Sequence, residues 1–166
     1  MIGAEEFRVF YDAAFGRLVG QLFLITGDQH EAEEVVQEAL ARAAARWSRL
    51  QGYDVPEAWV RRVAMNLAAS RARQARRRLA ILARLRPAAQ VPPASVEALA
   101  LAEALRTLPM RQRRAIVLHH LIGMPVQQVA TTMGVPAGTV KTWLGRGRRA
   151  LAVRLGESEE VWTRHD

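Results

Sequence analysis

The stretch MPVQQVATTMGVPAGTVKTWLGRGRRAL, Met124 to Leu151, decides the fold. Val129 and Met133 lie one helical turn apart and mark the inner side of a short helix, with Ala130 small where two helices must cross closely. Gly134 then supplies a residue that tolerates a left-handed turn. Pro136 and the run Ala137, Gly138, Thr139 start a second helix whose buried side is Val140 and Leu144. This is helix-turn-helix spacing. The outward face of the second helix carries Thr139, Lys141, Thr142, Arg146 and Arg149, a mixture of hydrogen-bonding and cationic groups suited to base edges and phosphates in a major groove. The competing interpretation is a helical hairpin whose arginines are only a solvated face. Against it stands the absence of any acidic residue from Ala104 to Gly156.

Composition sets the frame around that segment. A chain of 166 residues has room for one ordinary domain or two small ones, and a large catalytic cleft is not expected. Lys and Arg number 24 against 16 Asp and Glu, a net charge of +8, and the isoelectric point is near 11.3. Such a balance points to a polyanionic partner, nucleic acid or an anionic membrane. No cysteine is present, which excludes disulfides, zinc-thiolate sites and thiol nucleophiles and fits a reducing compartment. No apolar run approaches the roughly 20 residues of a spanning helix. The start MIGAEEFRVF places glutamates where a signal peptide has lysines. The expectation is a soluble, unexported, cytoplasmic protein without membrane insertion.

Upstream of the opening stretch the periodicity is helical almost throughout. Phe7, Tyr11, Leu18, Leu22 and Ile25 form one stripe of a first helix ending near Gly27. Asp28 with Glu31 three residues on is a capping-box arrangement that opens a second helix through about Trp47. The polar loop LQGYDVPE follows, and Pro56 suits the first turn of a third helix with Trp59, Val63 and Leu67 on its apolar side. At RPAAQVPPAS, Arg86 to Ser95, Pro87, Pro92 and Pro93 forbid a continuous helix and indicate a semi-rigid, extended linker. The expected fold is therefore all-α: two small helical domains joined by a Pro-rich linker, the C-terminal one containing the helix-turn-helix. Residues 1–86 form the first domain, 87–95 the linker, 96–156 the second domain, and 157–166 an acidic tail without an assignable role.

Charge divides the first domain. RRVAMNLAASRARQARRR on the third helix is as basic as the recognition helix, and no acidic residue occurs from Arg61 to Arg86, so nucleic acid is expected to be touched at two separate places. A membrane-surface helix would need a broader apolar face. The second helix is opposite in sign, with Asp28, Glu31, Glu33, Glu34 and Glu38 in GDQHEAEEVVQEAL. Acidic first turns commonly just complement the helix dipole. In a chain built to approach a polyanion, such a patch is better turned toward a protein.

In that order, GDQHEAEEVVQEAL, PEAWVRRVAMNLA and LRTLPMRQRRAIVLHHLIGMPVQQVATTMGVPAGTVKTWLGRGRRAL resemble the second-region and fourth-region motifs of bacterial RNA polymerase sigma factors of the extracytoplasmic-function group, over about residues 5 to 155. The resemblance implies a factor that binds core RNA polymerase and directs promoter-specific initiation. It implies that Glu33, Glu34, Gln37 and Glu38 dock on the clamp helices of the largest polymerase subunit. It also implies that the loop Leu50 to Glu57, with Leu50, Gln51, Gly52 and Tyr53, pockets a flipped base of the −10 element, with Asn66 and Arg73 reading beside it. The recognition helix would read the −35 element through Thr139, Lys141, Thr142, Arg146 and Arg149. An anti-sigma protein is a further partner class the resemblance allows. Trp143 stands where the family commonly has arginine, Ser70 where it often has aspartate and Gln128 where it often has glutamate, departures that bear on promoter sequence. Trp59 is read as core rather than as a stacking platform, and Trp143 either packs against the bundle, the favoured reading, or touches a thymine methyl or sugar.

The remaining classes are an activator or repressor that shares the helix-turn-helix without being a polymerase subunit, and an enzyme. An activator would not need the acidic second helix or the basic third. For an enzyme the sequence offers no serine-histidine-acid set, no phosphate loop and no paired carboxylates, so no catalytic residue, metal or cofactor is expected; His119 and His120 lack companion ligands.

Overall fold

A computed structural model describes residues 2–82 and 96–155. The helices are α1 (Ile2–Thr26), α2 (Gln29–Ala44), α3 (Trp47–Leu50), α4 (Pro56–Leu82), α5 (Val96–Arg106), α6 (Met110–Ile116), α7 (Val126–Met133) and α8 (Ala137–Leu155), with a π-helical turn over Val117–Leu121 after α6. No strand occurs among the described residues. The all-helical expectation holds. The chain divides into two compact units, Met1–Pro92 and Pro93–Asp166. The expected linker 87–95 and acidic tail 157–166 lie outside the described residues.

In the first unit α1 packs on α2 and α4, and α2 on α4. The α1 stripe Leu18, Leu22, Ile25 is fully buried. Phe7 and Tyr11 are half-buried; Phe7 and Phe10 gather around Trp47, whose ring centroid is 5.3 Å from that of Phe7 and 5.0 Å from that of Phe10, while Tyr11 stacks on Phe15 at 5.3 Å. An 18-residue window of α1 has a mean hydropathy of 1.2, so by length and composition alone Gly3–Thr26 is long and apolar enough to cross a membrane. Asp12 and Arg17 interrupt any continuous apolar run within it.

The chain leaves α1 through Gly27, at φ +73°, and Asp28 caps α2 by accepting the Glu31 N–H at 2.8 Å. The Asp28 N–H donates to Thr26 Oγ1 at 3.2 Å. Contrary to expectation, α2 stops at Ala44 rather than near Trp47, and a separate turn, α3, follows. On α4 the buried stripe is Val60, Ala64, Met65 and Ala68; Trp59, Val63 and Leu67, placed inside by sequence, are only half-buried, one residue off that line.

A polar clasp fixes the start of α4. Glu57 accepts from Arg17 at 2.7 Å and from Arg61 at 2.9 Å, and Arg61 Nε donates to Gln21 Oε1 at 2.7 Å. Burial holds the Arg61 guanidinium below the usual arginine value, and Glu57 opposes that pull. The Arg17 guanidinium is raised by its hydrogen bond to Glu57.

In the second unit α6 packs on α8, α7 on α8, and α5 on both α6 and α8. Leu105, Leu108, Ile116, Leu118, Val129, Val140, Leu144 and Leu151 form its core, each such side chain contributing about 1.5–3 kcal/mol by leaving water. Pro109 and Pro125 occupy the N-cap positions of α6 and α7, where a missing N–H leaves no helical bond unmade. In the π turn the Ile122 N–H reaches back to the Val117 carbonyl at 3.0 Å, five residues away. His119 Nδ1 lies 2.7 Å from the Met124 carbonyl, tying this turn to the approach of α7.

Candidate nucleic-acid and protein interfaces

The helix-turn-helix is built around Gly134. It ends α7 at φ +68°, ψ +38°, the left-handed conformation that glycine adopts without a Cβ penalty. The Val135 N–H then bonds back to the Ala130 carbonyl at 3.1 Å. Ala130 is 3% exposed at the crossing. On α8 the buried line is Val140, Leu144, Gly147 and Leu151, spaced four, three and four. Gly147 is a notch: a Cβ there would come within 2.9 Å of Ile116 Cγ1 on α6.

That inner line determines the outer one. Thr139, Thr142, Arg146 and Arg149, spaced three, four and three, share a stripe, with Lys141 flanking it. Lys141, Thr142, Arg146 and Arg149 are exposed, while Thr139 is half-buried. The Thr142 hydroxyl donates to the Gly138 carbonyl at 3.0 Å, so it presents lone pairs and a methyl group outward rather than a donor. Such a group suits an exocyclic amine or a thymine methyl. Trp143 is half-buried.

On α4, Asn66 and Arg73 are exposed and seven residues apart, hence on one face, and exposed Arg62 and Arg77 lengthen the same stripe. Sequence reasoning names only the middle pair; the spacing 62, 66, 73, 77 carries the signal. Gln51, Gly52 and Tyr53 are exposed in the loop before α4, Tyr53 by 54%. Leu50, expected in the base-pocketing loop, ends α3 at 2% exposure, so its side chain anchors that loop in the core. Trp59, read as core, lines a shallow hollow with Arg42, Ala45, Arg46 and Val63.

The acidic side of α2 is not a bare ridge. Gln29 Nε2 donates to Glu33 Oε1 at 2.7 Å. Arg71 of α4 reaches across, with one guanidinium nitrogen 2.7 Å from Glu34 Oε2 and another 3.1 Å from Glu38 Oε2. Arg42 holds Glu38 Oε1 at 2.6 Å, and His30 Nε2 is 3.2 Å from Glu34 Oε1. Gln37 is exposed beside them. Arg71 sits 33 and 37 residues from its partners, a pairing with no local sequence signal. Among the described residues no group of three or more His, Cys, Asp or Glu side chains is arranged to hold a metal.

Comparison with known proteins finds the family described as Sigma-70 region 2 over residues 10–78 and that described as Sigma-70, region 4 over residues 98–151. The chain is 34% identical over 142 residues to an RNA polymerase sigma-E factor of Streptomyces antibioticus, covering 81% of this chain and 73% of that protein. It is 32% identical over 161 residues to the ECF RNA polymerase sigma factor SigL of Mycobacterium tuberculosis, covering 93% and 91%. In fold it is similar to the sigma factor RpoE of Bartonella quintana, solved with the anti-sigma factor NepR. The TM-score is 0.77 at 24% identity, over 92% of this chain and 98% of that one.

Proposed function

This chain belongs to the sigma-70 family, in its extracytoplasmic-function group, and from that membership we propose how its surfaces divide the work of promoter-directed transcription initiation with RNA polymerase. The α8 stripe of Thr139, Thr142, Arg146 and Arg149, with Lys141 flanking it, takes the −35 element. The α4 stripe around Asn66 and Arg73, with Gln51, Gly52 and Tyr53 in the preceding loop, takes the −10 element. Glu33, Glu34, Gln37 and Glu38 on α2 take a basic surface of core polymerase, the clamp helices of its largest subunit. An anti-sigma protein is a further partner. The chain acts by binding rather than by bond-making, in the cytoplasm where polymerase works.

The observation that carries this reading is the presence, in one chain, of cationic stripes on two separate units with an acidic helix beside one of them. A regulator that only docks on duplex DNA needs one such stripe. Energetics favour a partner as well. Opening about a dozen base pairs at roughly 1.4 kcal/mol per step costs on the order of 15 kcal/mol, and stacking a captured base returns only about 1–3 kcal/mol. Melting therefore requires the holoenzyme.

Transcription and footprinting with purified core on a library of promoter fragments tests this. The expected result is core-dependent transcripts with protection at both boxes. Protection of a single box, or DNA binding indifferent to core, would return the chain to the class of ordinary helix-turn-helix regulators.

A further inference from the structure

We infer that Arg71 is an internal counter-ion that competes with core polymerase for the acidic side of α2. The inference rests on the assignment of Glu34 and Glu38 as polymerase-docking residues. Each carboxylate oxygen of this pair already has a nitrogen close by. Glu34 Oε2 faces Arg71 at 2.7 Å and Glu34 Oε1 faces His30 at 3.2 Å. Glu38 Oε2 faces Arg71 at 3.1 Å and Glu38 Oε1 faces Arg42 at 2.6 Å. A carboxylate oxygen has a second lone pair, but a cation arriving there sits against the Arg71 and Arg42 guanidinia. Like charges at that range repel.

Arg71 occupies the surface rather than the interior, with its side chain 34% exposed, and Glu34 and Glu38 are 48% and 38% exposed. The clasp is therefore in contact with water and open to exchange. Exposed pairs of this kind hold weakly, so a basic partner that brings several cations can take the carboxylates from a single arginine. The side chain cannot serve the DNA stripe of α4 at the same time. Arg71 is five residues from Asn66, which on a helix places it about 140° around the axis. It is thus committed to α2 and sets how much negative charge that helix shows to polymerase.

Affinity for core polymerase of the full chain, measured across ionic strengths, tests the competition with three variants. Arg71→Gln and Arg71→Met remove the charge, the first keeping a hydrogen-bond donor for the carboxylates, and circular dichroism with thermal melts establishes that each is folded. Both are expected to bind core about three- to tenfold more tightly at low salt, the gain shrinking as salt rises. The double variant Glu34→Gln, Glu38→Gln is expected to bind more weakly. If that double variant binds as well as the parent, the docking assignment itself is wrong. If it weakens binding while folded Arg71→Gln and Arg71→Met bind no better than the parent, Arg71 is a strut that orients the carboxylates, and the competition is overturned.

Discussion

Gly134 is where a single missing Cβ makes the DNA-reading hairpin possible. Its φ of +68° strains any L side chain, although nothing stands within 4 Å of where a methyl group would sit. Gly134→Ala is therefore a purely conformational change, expected to lower stability by about 1–2 kcal/mol, read as a reduced urea midpoint at unchanged slope. Leu50 is the opposite case, a side chain whose role is set by its surroundings. At 2% exposure, Leu50→Ala should cost about 2–4 kcal/mol, far more than truncation of an exposed loop residue. A melt unchanged by that substitution would restore Leu50 to the loop surface.

At the scale of elements, packing of α8 on α6 depends on the Gly147 notch. Gly147→Ala drives a methyl to 2.9 Å from Ile116 Cγ1, a side chain 2% exposed with little room to yield. The overpacking should cost about 1–3 kcal/mol, seen as faster amide exchange in α6 and α8 with α1 and α2 unaffected. What is legible in the sequence follows from the range of the forces involved. Local chemistry reads directly: Asp28 as a cap, Gly134 as a left-handed turn, Val140 and Leu144 as the inner line of α8. The end of α2 does not, because Ala45 and Arg46 carry no glycine or proline to announce a break; α3 forms because Trp47 is drawn into the ring cluster of α1. Likewise periodicity alone sets the α4 stripe one residue off, since arginines and small alanines give its faces weak contrast, and Arg61 is buried by a partner forty residues away. Arg71 gives no sign of its role for the same reason, its carboxylates being brought to it only by the packing of α2 on α4.

For the whole molecule, the excess of cations means that promoter binding by the holoenzyme should weaken steeply with salt. Lys141→Ala with Arg146→Ala is expected to lower the slope of log K against log salt by about 2, one for each phosphate contact removed, and to weaken use of the −35 box while core binding stays the same. An unchanged slope would mean that these side chains do not reach the DNA backbone. The charge on α2 responds to salt independently, because Arg71 and Arg42 screen it from within.

The π turn at Val117–Leu121 winds one residue more into its span than an α-helix would. Four residues at about 100° each turn through nearly the same angle, so excising any one of those five would let the backbone relax to ordinary winding and leave Gly147 on its seat over Ile116. The turn is slack wound into a coil: one residue can be drawn out of it while the notch stays seated, so a chain shortened by one there should keep its grip on DNA.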